Sequence, residues 1–326
     1  MMDRRRFLVG AIVGALGAPL RAAGQSTDRA PRVGYLSPVS AGSPGHVIFR
    51  QSLRDLGYVE GTSINVHERF AEGHSDRLAA LAGELVHLNV AAIVAVSPSA
   101  VRAARGATTT IPVVMIVGDD PVRSGFVESL AHPGGNLTGV TFHVVDLFAK
   151  QMELLKAIVP GLKRLAFLWD PTMPTKTEDL VFIRKSGHTL GLTVQVMEAR
   201  GASDYMAAFD AMTKEGAQAL VIAGSPLFIQ DRALILGLSR KHRLPAAAPL
   251  REDAEAGALV SYGARQAEVL RLAARYVDRI LKGARPADLP IEQTSKFDLV
   301  INLKSAAALG LTIPSSVLAR ADQVIE

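Results

Sequence analysis

The sequence predicts an α/β protein of two similar lobes, each a parallel sheet flanked by helices, joined by a three-strand hinge. Three observations carry this expectation. From Arg32 onward, short apolar runs alternate with segments of helical periodicity, the pattern of parallel strands covered by helices. The order of those pieces in the first half is repeated in the second. The ending after Gly263 does not fit a simple tandem, so the chain must return across the junction to complete both lobes.

Taken in order, "RVGYLSP" reads as a strand, "HVIFRQSLRDLG" as a helix and "TSINVHERF" as a second strand. "DRLAALAGELVHL" has helical spacing, "VAAIVAVSPS" is a strand ending in a turn, and "AVRAARGA" is a short helix. "IPVVMIVGDDP" and "GNLTGVTF" supply two more strands. The second half matches piece by piece. "KRLAFLWDP" answers the first strand, and "KSGHTLGLTVQVMEA" the helix end and second strand. "DYMAAFDAMTKEGAQALVIAGSPL" answers the next helix and strand, "RLPAAAPLRED" the fourth strand, and "GALVSYGA" the fifth. A period above 100 residues is too long for a solenoid. "RQAEVLRLAARYVDRILKG" is then a long amphipathic helix, and "RPADLPIEQTSKFDLVINLKSAAALG" is strand-like and then helical. Crossovers are expected near 141–143, 261–264 and 287–292. They give a first lobe of residues 32–142 plus 264–288 and a second of 143–263 plus 289–326. Strands linking two lobes make a hinge, and a hinge between sheets makes a closable cleft.

Ahead of the fold stands "DRRRFLVGAIVGALGAPLRAAGQ". Three arginines, an uncharged run from Phe7 to Leu20 and a small-residue exit are the parts of a cleavable export signal, here residues 1–24 and twin-arginine-like. The run is shorter than the ~20 residues a spanning helix needs, and Gly10, Gly14, Gly17 and Pro19 weaken an anchoring helix. The reading is therefore a periplasmic protein, soluble after cleavage.

The 326 residues carry a net charge of +5, of which Arg4, Arg5, Arg6 and Arg21 against Asp3 contribute +3. The remaining +2, with no basic cluster interleaved with aromatics, gives no support to nucleic-acid binding. The absence of cysteine excludes disulfides, thiolate catalysis and Cys-based metal sites. No GxGxxG after a strand, no phosphate loop and no GxSxG elbow is present, and the histidines lack zinc-ligand spacing. Neither an enzyme, a cofactor nor a metal is expected.

Ligands of parallel α/β sheets sit outside the carboxyl ends of the strands. In the first lobe those ends are Ser37, Ser97 with Ser99, Asp119 with Asp120, and Thr141; in the second they are Asp170, Ser225, Glu252 with Asp253, and Tyr262. All of these except Glu252 and Asp253, nine residues, are the candidate ligand-binding residues. Ser97–Pro98 and Ser225–Pro226 each open a helix, where free N–H groups suit an anion; the alternative is plain capping. Asp119 and Asp120 suit a ligand ammonium, with an Asp-capped turn into an expected "VRSGFVESL" helix as the alternative for Asp120. Tyr262 is a stacking or hydrogen-bonding candidate, or hinge packing. Trp169, beside Asp170, is expected to point away from the cleft, and Phe142 either stacks on a ligand or lies in the core. Acidic groups facing N-terminal amides suit a zwitterion such as an amino acid.

"LRDLGYVEG", "DDPVRSGFVESLAHPGGNLTGVT", "VDRILKGARPADLPIEQTSKFDLVINLKSAAALGLTIP" and "LARADQVIE" give the chain, over essentially its whole length after residue 24, a resemblance to a family. It resembles the ABC-transporter substrate-binding proteins of tryptophan/tyrosine-type uptake. The resemblance implies a type I periplasmic-binding fold, a small-molecule solute and delivery to a membrane permease, with the protein acting as a monomer. Two residues depart from the expected pattern: Asp119, where a small residue is expected, and Asp170, where an asparagine is. A sensing module that reports to a receptor would share the fold, and neighbouring genes would separate the two roles.

Overall fold

The computed structural model describes residues 30–42, 44–142, 144–171 and 177–326; the expected export signal, residues 1–24, lies outside them. The chain begins with β1 (Arg32–Ser37), α1 (Gly45–Asp55), β2 (Asn65–Phe70), α2 (Leu78–His87), β3 (Ala92–Val96), α3 (Pro98–Ala107), β4 (Val113–Val117) and β5 (Leu137–Thr141). It continues through α4 (Val144–Ile158), β6 (Arg164–Trp169), α5 (Thr177–Thr189), β7 (Thr193–Glu198), α6 (Ala202–Lys214) and β8 (Ala219–Ile222). Next come α7 (Pro226–Gln230), α8 (Arg232–Lys241), β9 (Ala246–Ala248), α9 (Arg251–Glu255) and β10 (Val260–Ala264). The last stretch forms α10 (Gln266–Leu281), β11 (Glu292–Gln293), β12 (Phe297–Asn302), α11 (Leu303–Leu309), α12 (Ser315–Leu318) and β13 (Gln323–Ile325).

These strands form two sheets. One has the order β2-β1-β3-β4-β5-β11 and is parallel throughout. The other runs β7-β6-β8-β9-β10-β12-β13, with β10 and β12 its one antiparallel pair. Five successive strands in each follow the same relative order, so the repeated sequence is a repeated topology. The fold class is α/β, two sheets of mostly parallel strands flanked by helices. Helices on both faces explain why β4 reads "VVMIV" with all five residues buried. Two apolar clusters flank each sheet. Each fully buried side chain such as Phe49 or Leu36 contributes roughly 1.5–3 kcal/mol.

Helix α10 follows a strand of the second sheet but packs on the first. Its apolar stripe, Val269, Leu270, Ala273, Tyr276, Val277 and Ile280, recurs at three- and four-residue spacing and is buried beside α1. The chain then stays on the first sheet longer than expected. Thr138 Oγ1 donates to the Leu289 carbonyl at 2.7 Å, the Tyr276 hydroxyl donates to the Pro290 carbonyl, and Ile291 N donates to the Leu130 carbonyl. Glu292 and Gln293 pair with Val140 and Thr141. The expected start of the second lobe at residue 289 is corrected accordingly: residues 289–293 complete the first sheet, and the third crossing comes after Gln293. The short, polar β11 gave no apolar run by which to see this.

The three crossings are bonded to one another. Thr294 N donates to the Thr141 carbonyl and Arg265 N to the Lys296 carbonyl, each at 3.0 Å. Arg265 Nε also reaches Asp298 Oδ1 at 2.6 Å. The lobes are thus joined by three linked segments.

Candidate functional site

In each sheet the strand order reverses beside its first strand, which leaves a crevice at the carboxyl ends. The two crevices face each other across a cleft of about 540 Å³, within the ~300–1,000 Å³ typical of small-molecule sites. Tyr35, Ser37, Val96, Ser97, Ile116 and Asp119 form the first-sheet wall. Ser225, Ile229, Arg232, Leu250 and Glu252 form the opposite one, and Phe142, Ala264, Gln266, Val269 and Leu270 close the side where the chain crosses.

Of the nine candidates, Ser37, Ser97, Asp119 and Ser225 come together in this cleft. Ser97 caps α3, its hydroxyl accepting from Ala100 N at 3.3 Å, and Ser225 caps α7 by accepting from Phe228 N at 3.1 Å. Capping and a place in the cleft wall therefore coexist at both serine–proline pairs. Ser97 does so at φ 93° and ψ 156°, a region that normally takes glycine and costs about 1–3 kcal/mol for other residues.

The other five lie outside the wall, each for a physical reason. The Ser99 hydroxyl pairs with that of Ser97 at 2.9 Å. Asp120 Oδ1 accepts from Val122 N and Arg123 N and so caps a turn; the segment after it forms turns in place of the expected helix. Thr141 is fully buried and donates to the Asp119 carbonyl at 2.8 Å, propping the loop that carries Asp119. Asp170 is 3% exposed and near Tyr205. Burial first, and then the bond to Asp231 at 2.7 Å, raise the pKa of that tyrosine. Tyr262 turns its ring to Phe297, 5.9 Å away, within the core of the second sheet. Trp169 also lies in that core, and Phe142 both packs against the first-sheet core and reaches the cleft wall.

Three cleft residues, Arg232, Tyr35 and Gln266, went unmarked by the strand-end pattern, and Glu252, a marked strand end outside the nine candidates, joins them in the wall. Arg232 starts α8, and its Nε donates to Asp253 Oδ1 at 2.5 Å while Asp253 Oδ2 accepts from Leu250 N at 2.9 Å. Burial pushes the Asp253 carboxyl up against the pull of Arg232. The pair fixes the guanidinium through one donor, and a guanidinium has five. Glu252 stands in the same wall, and its carboxylate has no hydrogen bond or ion pair among the described residues. Tyr35 stays a neutral phenol, because burial and then the Glu68 carboxylate raise its pKa. Gln266 opens α10, and its Oε1 is buried without a partner, as is the Ser37 hydroxyl.

Two contacts bridge the lobes at the cleft rim. Arg123 Nη2 lies 3.3 Å from Asp179 Oδ1. Gln230 rests on Gly73, where an added Cβ would come 2.1 Å from Gln230 Oε1. Among the described residues no cluster of His, Asp and Glu fits a metal ion, and no helix is long and apolar enough to cross a membrane.

Several known proteins resemble this architecture. A tyrosine-binding protein of Clostridioides difficile is 22% identical over 264 residues, which span 81% of this chain and 75% of that one. An ABC domain from Streptococcus pneumoniae, solved in complex with L-Trp, is 26% identical with a TM-score of 0.83, covering 91% of this chain and all of that one. A conserved domain protein from Vibrio cholerae is 25% identical with the same TM-score, again over 91% of this chain and 100% of its own. The family model described as ABC transporter substrate binding protein matches residues 47–325. With nearly all of its two-sheet architecture inside that match, the chain belongs to the ABC transporter substrate-binding protein family, whose members bind a small solute for a membrane permease.

Proposed function

We propose that the chain is exported, acts as a monomer in the periplasm, closes its lobes on an amino acid and presents it to an ABC permease. One observation carries the choice of ligand. A single cleft wall holds an arginine with spare donors, Arg232, and a carboxylate with no partner among the described residues, Glu252. A free amino acid answers both: its carboxylate takes the guanidinium fork and its ammonium faces Glu252. Asp119 adds negative charge near the ammonium, while Ser97 and Ser225 line the two sides of the same space. The apolar surfaces of Val96, Ile116, Phe142 and Val269 then suit the ligand side chain. The names of the relatives, one tyrosine-binding and one holding L-Trp, support an aromatic amino acid.

Closure follows from contacts made to both walls. A ligand favours the closed form only by the amount that it binds it better, and this ligand touches both lobes. The solute leaves chemically unchanged. Calorimetric titration with L-tyrosine and L-tryptophan tests the reading: saturable 1:1 binding, with intact solute recovered by mass spectrometry, is the expected result. Failure of both to bind, or recovery of an altered solute, would end it. Replacing Arg4, Arg5 and Arg6 by lysine is expected to hold the precursor in the cytoplasm, and unchanged secretion in fractionated cells would reject the twin-arginine route.

A further inference from the structure

The corner where β1, α1 and α10 meet carries a polar demand that the chain does not meet itself. Tyr35 and Ser37, two apart on β1, point to the same face of the first sheet. That face is the one α10 covers, where Tyr35 packs in one cluster with Val269 and Leu270. Gly45 lies against both sides of the corner: a Cβ there would sit 3.1 Å from the Tyr35 hydroxyl and 3.8 Å from Leu270. Gln266, one turn ahead of Leu270 on the same helix, shares its side.

Within this corner Ser37 is 1% exposed and its hydroxyl has no hydrogen-bond partner among the described residues. Gln266 Oε1 is buried and also lacks one. Turning the amide over leaves its nitrogen in the same position. Buried polar atoms are nearly always paired, and two unpaired atoms in one binding cleft mark places kept for a ligand. Val96, Phe142 and Leu270 beside them are apolar, so water finds few further partners there.

We propose that Ser37, Gln266 and the Tyr35 hydroxyl form the ring end of the site and select an aromatic amino acid whose ring bears an O–H or N–H over one that bears none. The assignment rests on the amino-acid reading above and leaves the ligand's charged end to Arg232 and Glu252 on the opposite wall. A ring donor satisfies Gln266 Oε1 directly, and the Ser37 hydroxyl either accepts the same hydrogen or donates to the ring oxygen. A bare hydrocarbon ring fills the space and strands both atoms.

The test is calorimetric titration of the chain with L-tyrosine, L-tryptophan and L-phenylalanine, repeated on Ser37→Ala and Gln266→Leu. At least one donor-bearing ligand is expected to bind about tenfold or more tightly than phenylalanine. Each variant is expected to narrow that gap by weakening the donor-bearing ligand and leaving phenylalanine within about twofold, with unchanged thermal melting. Gln266, half-buried at a helix start, keeps the test open if Ser37→Ala misfolds. Equal affinity for phenylalanine overturns the proposal, and so does an equal loss for all three ligands in both variants. Silence from all three with the unmutated chain is a different pattern and overturns the amino-acid reading itself.

Discussion

The Arg232–Asp253 pair shows how one side chain is held for work by another. Asp253 takes the guanidinium Nε and the Leu250 amide, and what remains of the guanidinium is the two-nitrogen edge that suits a carboxylate. Arg232→Lys keeps a cation beside Asp253 but loses that edge. The expected outcome is roughly tenfold weaker amino-acid binding by calorimetry with a melting temperature close to that of the unmutated chain. Ser97 separates two effects in the same way. Ser97→Ala removes the cap and leaves a side chain at φ 93°, so denaturant unfolding is expected to show a loss of about 1 kcal/mol. Ser97→Gly removes the strain as well and is expected to be neutral or stabilising; a Gly variant less stable than Ala would contradict the strained geometry. The sequence placed Ser37, Ser97, Asp119 and Ser225 at strand ends, and all four line the cleft. It did not reveal Arg232 or Gln266, because each stands at the start of a helix whose docking decides what it faces. Nor did it separate Thr141 from these, since only the fold shows that its hydroxyl is bound to the Asp119 carbonyl.

Among the elements, the strands and helices were legible because parallel sheets buried on both faces write themselves as apolar runs, and β1 to β5 follow those runs closely. The second topology was legible because it repeats the first. Two pieces were not. Strand β11 is only Glu292–Gln293, exposed on both residues, and backbone pairing alone assigns it to the first sheet. The segment after Asp120 has helical composition but forms turns, because Asp120 caps two successive amides there. The contact of β10 with the loop after β9 gives a prediction at this scale. Gly263 lies so close that a Cβ would come 1.9 Å from the Pro249 carbonyl oxygen. Pro249 stands in the cleft wall. Gly263→Ala must therefore displace backbone, and overpacking of this kind typically costs about 1–3 kcal/mol. The expected result is a lower unfolding midpoint together with weaker ligand binding, whereas a stable variant that binds normally would show that the wall can move freely.

For the whole molecule, the proposed closure makes the balance between open and closed forms depend on contacts formed only when the lobes meet. Arg123 and Asp179 supply one such contact at 3.3 Å, with the arginine side chain 45% and the aspartate side chain 17% exposed. Pairs this exposed are worth about 0–1 kcal/mol, so Asp179→Ala is expected to weaken ligand binding by no more than about fivefold. The effect should shrink near ~1 M salt, where the screening length is about 3 Å, and the unliganded chain should melt unchanged. A loss that persists in high salt would mean that Asp179 acts other than through its charge. The threefold crossing that links the lobes has a further consequence, for synthesis. β5 ends at Thr141 and its neighbour β11 ends at Gln293, so about 150 residues must leave the ribosome before the first sheet has its last strand. At ~5–20 residues per second that interval lasts roughly 8–30 s. Throughout it β5 presents a bare edge to other nascent chains, and the domain translated first is completed almost last.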